Sequence, residues 1–196
     1  MVTPPGILRS VPRPRIIGGS ARGRPLATPR QGTRPTPSRV REALFDMLAF
    51  TPPGAFLDLY AGSGALGLEA ASRGWRAICV DRSREAVEVV RRNARALGLT
   101  VDARLADALA TARTLRGQVD VCSASPPYPD DLPAIFQALL DSGCVRPGGR
   151  YVLQHPSGMA LDLALAGEPA VTDVRRYGSN ALTIVRVPSP EPSANA

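Results

Sequence analysis

The stretch that most constrains this chain is Ala55-Phe56-Leu57-Asp58-Leu59-Tyr60-Ala61-Gly62-Ser63-Gly64-Ala65-Leu66-Gly67-Leu68-Glu69-Ala70. It reads as a buried strand, a glycine-rich turn and the start of a helix. Ala55 to Leu59 supplies the strand, Gly62 and Gly64 allow a tight turn and close approach to a ligand, and the helix runs from about Gly64 to Arg73. The alternation then repeats. Strand 2, Trp75 to Val80, ends in Asp81, and helix Arg84 to Leu97 follows with Ala86, Val87, Val90, Ala94 and Leu97 at helical spacing. Strand 3 is Val101 to Leu105 and strand 4 Val119 to Cys122. A helix runs from about Leu132 to Asp141, and Arg146-Pro147-Gly148-Gly149 turns into strand 5, Arg150 to Gln154. Ala170 to Tyr177 and Ala181 to Val187 form an antiparallel pair around Gly178-Ser179-Asn180. Such alternation implies an α/β fold, a mostly parallel, Rossmann-like sheet of seven strands with helices on both faces.

In a sheet of this kind, ligands sit beyond the carboxyl ends of the strands. Asp58 closes strand 1, Asp81 closes strand 2 and Asp107 follows strand 3. One aspartate at a strand end is as readily a cap as a ligand. Three at successive strand ends point to a shared ligand. Asp81 lies 19 residues after Gly62, close to the separation of roughly 20 at which a carboxylate meets ribose hydroxyls. Asp58, four residues before Gly62, would repel a pyrophosphate, so a nicotinamide dinucleotide is disfavoured. A ligand with a cationic amino-acid part would welcome it, and S-adenosylmethionine is such a ligand. The candidate cofactor contacts are Asp58, Tyr60, Ala61, Gly62, Ser63, Gly64, Asp81, Arg82, Asp107 and Ala108.

After strand 4 comes Ser125-Pro126-Pro127-Tyr128. Two prolines fix an extended turn with no N–H to compete, so the Pro126 carbonyl and the Ser125 hydroxyl can both accept from one ligand amine. Tyr128 offers a stacking face for a planar base. Ser125, Pro126, Pro127 and Tyr128 are therefore the candidate catalytic residues. Asp130 and Asp131, just beyond, could lend a carboxylate, but a role at the N-terminus of the helix before Leu132 suits them better. The single histidine, His155, lies just past strand 5 and reads as structural.

The charge distribution identifies the other half of the function. The net charge is +7, yet residues 1–41 hold nine arginines and no carboxylate, whereas residues 42–196 hold 15 arginines against 17 carboxylates. Basicity therefore belongs to an arm, and every basic residue is arginine, whose planar fork suits phosphate. Residues 1–14 read as a disordered basic tail and 188–196 as a Pro-rich frayed tail. Between them, Arg15 to Leu26 resembles a small hairpin turning at its glycines. Thr36 is placed to cap a helix with Pro37 at its first position, and Val40, Leu44, Met47 and Leu48 share one face. Arg39 and Arg41 then lie off that face, free for an anion. Arg15, Arg22, Arg24, Arg34, Thr36, Arg39 and Arg41 are the candidate RNA contacts. Cys79, Cys122 and Cys144 lack any CxxC or metal spacing and suit core positions in a reducing cytoplasm, so no metal is expected. No apolar run suggests a membrane span.

These residues together resemble a known family. The glycine loop, Asp81, Asp107 and the Pro-Pro-Tyr loop are similar to motifs of class I SAM-dependent methyltransferases that act on exocyclic amines. Arg15-Ile16-Ile17-Gly18-Gly19, Arg22-Gly23-Arg24, Arg34-Pro35-Thr36, Arg39-Val40-Arg41-Glu42 and Tyr177-Gly178 with Ala181-Leu182 further resemble the RsmD-type guanine-N2 methyltransferases of bacterial 16S ribosomal RNA. The resemblance implies an RNA-binding extension over 15–50 and a methyltransferase domain over 51–187. It also implies ribosomal RNA, within a small-subunit assembly particle, as the partner of a cytoplasmic monomer. The chain departs from the family pattern at one place, with Ser125 where Asp is usual; a hydroxyl accepts a weaker, uncharged bond from an amine than a carboxylate does. Two alternatives share the pattern. One is a DNA or other RNA amine methyltransferase acting on cytosine N4 or adenine N6; the other is an RNA-binding protein of this fold with reduced turnover owing to Ser125.

Overall fold

The computed structural model describes residues 13–30, 36–128 and 130–189. In chain order its elements are α1 (Ser38–Met47), β1 (Ala55–Leu59), α2 (Ala65–Ser72), β2 (Arg76–Asp81), α3 (Arg84–Leu97), β3 (Asp102–Leu105) and α4 (Ala108–Thr114). They continue with β4 (Val119–Ala124), α5 (Leu132–Asp141), β5 (Val145–Pro156), β6 (Ala164–Leu165), β7 (Glu168–Pro169), β8 (Thr172–Tyr177) and β9 (Asn180–Arg186). Seven strands make one sheet in the order β3-β2-β1-β4-β5-β9-β8, and β6 pairs with β7 apart from it. The first five of these are parallel, and β9 runs antiparallel between β5 and β8. Strand order reverses at β1, which has β2 on one side and β4 on the other. A crevice therefore opens beyond the carboxyl ends of β1 and β4, where a doubly wound sheet holds its ligand.

All five residues of β1 are buried, because helices cover both faces of the sheet. Leu57 and Leu59 join Phe136 and Leu139 of α5 on one face. Phe56 joins Val40, Leu44 and Phe45 of α1 on the other, stacked on Phe45 at 5.8 Å and meeting Trp75 edge-on at 6.1 Å. Asp58 points to this second face, 2% exposed and against the Gly67 amide of α2. Helix α3 follows its expected pattern: Ser83 caps its start through the Ala86 amide at 3.3 Å, and Gly98 ends it with a φ of 69°.

The structure differs from the expectations at several points. Segment 15–26 forms no paired strands; one bridge, Arg15 to Pro25, closes it, and Ile16, Ala21 and Leu26 pack on Ala65, Leu68, Ala94 and Leu97 of α2 and α3. Helix α1 begins at Ser38 with Pro37 as its N-cap residue and no side-chain cap, because the Thr36 hydroxyl is turned toward Gln154 at 3.2 Å. Helix α4 has no counterpart among the expected elements: it buries only the small Ala108, Thr111 and Ala112 and so lacks a bulky apolar stripe. The expected turn at Arg146 to Gly149 lies inside β5, where the register against β4 shifts between Val119 and Val121. A Cβ at Gly149 would sit 2.6 Å from the Asp120 carbonyl oxygen, so this irregularity needs glycine. Of the expected tails, residues 1–12 and 190–196 lie outside the described residues. No helix among the described residues is long and apolar enough to cross a membrane.

Candidate active site

The cradle is built where β1 gives way to α2. Tyr60, Gly62 and Gly64 take φ values of 61°, 54° and 77°, a left-handed conformation that costs a non-glycine residue about 1–2 kcal/mol. The Ala61 amide bonds the Val80 carbonyl at 3.0 Å and the Gly64 amide the Ala61 carbonyl at 2.7 Å, which ties the turn to the end of β2. Asp81 completes the tie: its two carboxylate oxygens accept from the Gly62 amide at 2.9 Å and the Ser83 amide at 2.8 Å. A Cβ at Gly67 would collide with Cys79 Sγ, so the missing side chain lets α2 ride close to the sheet. In that position the Gly67 amide donates to Asp58 Oδ2 at 2.8 Å. Burial pushes the Asp58 carboxyl up to about 7, against the pull of the Gly67 amide and with a smaller push from Asp81. Tyr60 is likewise pushed up to about 12, first by burial and then by Asp107 and Asp130.

Opposite the cradle, the Ser125–Tyr128 loop leaves the end of β4. A polar network holds it. Ser125 Oγ donates to Gln154 Oε1 at 3.1 Å, and Thr36 Oγ1 donates to the same oxygen at 3.2 Å. Gln154 Nε2 donates to Asn180 Oδ1 at 3.2 Å, and the Tyr128 hydroxyl donates to that oxygen at 2.6 Å. Tyr128 is thus tethered at its hydroxyl while the side chain stays 42% exposed, leaving ring surface free to stack. Sequence reasoning missed Gln154 and Asn180. Their one available signal was position, at the carboxyl end of β5 and the start of β9 on the same rim as the other polar residues.

Cradle and loop face each other across one cavity of about 580 Å³, within the roughly 300–1,000 Å³ usual for small-ligand sites. The cavity brings together Asp58, Tyr60, Ala61, Gly62 and Ser63 with Asp81 and Arg82, and sets all four residues from Ser125 to Tyr128 across from them. Thr36 and Pro37 of the N-terminal segment also line it, as do Gln154 and Asn180. Gly64 shapes the turn without lining the cavity, and Asp107 and Ala108 are also outside the lining. The Asp107 carboxylate caps α4 through the Ala110 amide at 2.8 Å. With Asp58, Asp81 and Glu85 against Arg82, the charged lining favours a cationic ligand over a polyanion.

The candidate RNA-contacting arginines are not equivalent. Arg22 and Arg39 are exposed. Arg15 and Arg24 are spent partly on backbone carbonyls, Arg15 on Gly23 at 2.9 Å and Arg24 on Ala96 and Leu97 at the end of α3. Arg34 lies outside the described residues. Arg41 corrects the expectation of a free guanidinium: it is 1% exposed, bonds the Arg15 carbonyl at 3.0 Å and pairs with Glu69 at 3.7 Å. The reason is Glu69, a fully buried carboxylate on α2 that also accepts from the Ile17 and Gly18 amides, both at 2.7 Å, and from Arg73 at 2.9 Å. A buried acid needs such partners, and the N-terminal segment together with Arg73 at the end of α2 supplies them. His155 is buried, with Nε2 at 2.7 Å from Thr183 Oγ1 and Nδ1 at 2.9 Å from the Pro156 carbonyl, so its ring is engaged away from the cavity.

The family model described as Conserved hypothetical protein 95 matches residues 14–186. The Bacillus subtilis protein YlbH, which carries the name of an rRNA methyltransferase, is 33% identical over 181 residues, covering 88% of this chain and 98% of YlbH. The ribosomal RNA small subunit methyltransferase D of Escherichia coli K12 is 61% identical over a shorter stretch of 61 residues, 30% of this chain and 31% of that protein. The solved structure of a hypothetical protein of Thermus thermophilus superposes with a TM-score of 0.78 at 44% identity, over 88% of this chain and 99% of that one. Because the model spans both the N-terminal segment and the sheet, and YlbH matches along nearly its whole length, the chain belongs to the Conserved hypothetical protein 95 family, the RsmD family of methyltransferases.

Proposed function

We propose that this protein transfers the methyl group of S-adenosylmethionine to the exocyclic N2 of a guanine in small-subunit ribosomal RNA. The observation that carries the reading is that one cavity joins an acidic, glycine-built cradle to the Ser125–Tyr128 loop. The family membership and the names of YlbH and the E. coli relative support methyl transfer to ribosomal RNA.

The residues present fit the cofactor. Asp58 would offer its buried carboxylate to the ammonium of the amino-acid part, beside the cavity-lining residues 60–63. Asp81, already oriented by two amides, retains lone pairs for ribose hydroxyls, with Arg82 beside it. Asp107 and Ala108, expected at the adenine end, stand outside the cavity lining, with the Asp107 carboxylate on the Ala110 amide. When bound, S-adenosylmethionine supplies an electrophilic methyl on a sulfonium, whose transfer leaves a neutral thioether.

The chain's own contribution is orientation. A base amine is a poor nucleophile because its lone pair is delocalised into the ring. Accepting one amine hydrogen at Ser125 Oγ and the other at the Pro126 carbonyl turns that lone pair toward the methyl group, while the Tyr128 ring holds the base out of its stack. Nitrogen gains a C–N bond and releases its surplus proton to solvent at the cavity mouth. Residues 15–50 form the RNA-binding extension and 51–187 the catalytic domain; Arg22 and Arg39 meet phosphates from the exposed side of that extension. The enzyme acts as a cytoplasmic monomer on an assembling small subunit.

The test is transfer of tritium from S-adenosylmethionine to small-subunit particles, and to naked RNA, from a strain lacking this gene, with the labelled nucleoside identified. N2-methylguanosine is expected, more from particles than from naked RNA. Label in N4-methylcytidine or N6-methyladenosine, or none on any nucleic acid, contradicts the reading.

A further inference from the structure

Ser125 is the one neutral side chain asked to receive an amine hydrogen, and a hydroxyl has no inherent polarity: it donates as readily as it accepts. The surrounding amides remove that freedom. Gln154 is 8% exposed and Asn180 7%. Each offers its carbonyl oxygen to two donors, Gln154 to the Thr36 and Ser125 hydroxyls and Asn180 to Gln154 Nε2 and the Tyr128 hydroxyl. Asn180 Nδ2 meets Ser179 Oγ at 3.4 Å, so the second amide also has a use for its donor.

The direction of this chain of bonds follows from the Tyr128 hydroxyl, which donates to Asn180 Oδ1 at 2.6 Å. Reversing the Gln154 amide alone sets its carbonyl oxygen against that of Asn180. Reversing both amides sets the Asn180 nitrogen against the Tyr128 hydroxyl and takes away the oxygen that accepts its proton. The observed orientation gives the Ser125, Thr36 and Tyr128 hydroxyl protons each an amide oxygen. It commits the single Ser125 proton to Gln154, and what remains for the cavity is lone pairs.

Resting on the methyl-transfer reading above, we propose that Gln154 is a positioning residue that holds the Ser125 hydroxyl as a one-way acceptor, so that a neutral loop selects a base amine over a ring carbonyl. Gln154 touches no reacting atom; it acts through Ser125. The same oxygen accepts from Thr36, which couples the orientation of Ser125 to the seating of the N-terminal extension. A carboxylate at position 125 would carry no proton to direct and would not need this help.

The test uses full-length protein and four forms: wild type, Q154L, S125D and S125D/Q154L. In the wild-type background, Q154L lowers kcat about 10- to 100-fold, the range below and up to the loss of one preorganised polar group. KM for the RNA particle and Kd for S-adenosylmethionine stay within about threefold. In the S125D background the same substitution changes kcat by less than about threefold. A kcat for Q154L within about threefold of wild type overturns the proposal, as does an equal loss in both backgrounds, which would mark Gln154 as merely structural. Neutron diffraction from deuterium-exchanged wild-type crystals reads the hydroxyl directly: the Ser125 deuteron lies on the line to Gln154 Oε1. A deuteron aimed into the cavity overturns the proposal even if Q154L does not fold. A wild-type protein that labels no RNA while its Ser125 deuteron points to Gln154 sinks the methyl-transfer reading and leaves the orientation of Ser125 established.

Discussion

In the proposed site, the buried carboxylate of Asp58 makes cofactor binding depend on pH in a calculable way. Its ordinary value is 3.8, and in the folded protein it is pushed up to about 7, chiefly by burial. Between those values the folded protein holds a proton that the unfolded chain has released. The ligand-free protein therefore loses stability as pH rises from about 4 to about 7, by about 4 kcal/mol in total, and no further above that. A cationic ligand reverses the balance, because it favours the ionised form. Below pH 7 the ligand must expel the proton, so affinity falls by about tenfold per unit, or about 25-fold between pH 7.5 and pH 5.5. Isothermal titration calorimetry with S-adenosylmethionine at pH 5.5, 6.5 and 7.5 measures this directly, with buffers of different ionisation heat counting the protons released. Asp58→Asn keeps an oxygen for the Gly67 amide but cannot ionise. It should bind weakly at pH 7.5 and vary by less than about threefold over the range. A wild-type affinity that is flat from pH 5.5 to 7.5, or a profile for the Asp58→Asn variant as steep as that of wild type, would refute the role given to this carboxylate.

Three further outcomes follow from the packing. Glu69→Ala strands the buried Arg41 guanidinium, so urea denaturation should show a loss of about 3–5 kcal/mol; hydrogen exchange should speed up at the Ile17 and Gly18 amides that Glu69 holds. Gly67→Ala drives a Cβ into Cys79 Sγ and to 3.2 Å from Asp58 Oδ2. It should cost about 1–3 kcal/mol in the melt and weaken S-adenosylmethionine binding by lifting α2 from the cradle. Among the arginines, Arg22→Ala and Arg39→Ala should each reduce the slope of log affinity for RNA against log salt by about 0.7–0.9. Arg41→Ala should lower stability instead, and an unchanged melting curve for that variant would contradict its buried placement.

The parts of the fold that could be read from the chain were those written in periodic apolar residues. Strand β1 and helices α3 and α5 appear within a residue of their expected bounds, because burial on both faces or on one stripe leaves a pattern. Helix α4 left none, since alanines and threonines against the sheet carry no bulky period. The site divides in the same way. Asp58, Asp81 and the Ser125–Tyr128 loop announced themselves by standing at strand ends, and the cavity gathers them. Gln154, Asn180 and Glu69 act through partners that are distant in the chain, Thr36 and Ser125 for Gln154 and residues 17, 18 and 41 for Glu69. Pairings across such separations are set by the folded sheet and leave no local spacing to read. Arg41 shows the opposite error: helical spacing placed it off the apolar stripe, but a buried acid on a neighbouring helix drew it inside.

In the proposed reaction, one cavity joins cofactor to base amine through the Ser125–Pro126 acceptor pair. The most direct measurement is mass-spectrometric nucleoside analysis of small-subunit RNA methylated in vitro by wild type and by Ser125→Ala, with cofactor affinity measured on both. N2-methylguanosine is expected as the product of wild type, with a loss of rate of about 10²-fold or more in the variant and S-adenosylmethionine affinity retained. A variant that methylates guanine N2 at the wild-type rate, or a wild-type product methylated on a ring nitrogen or carbon, would contradict this reading.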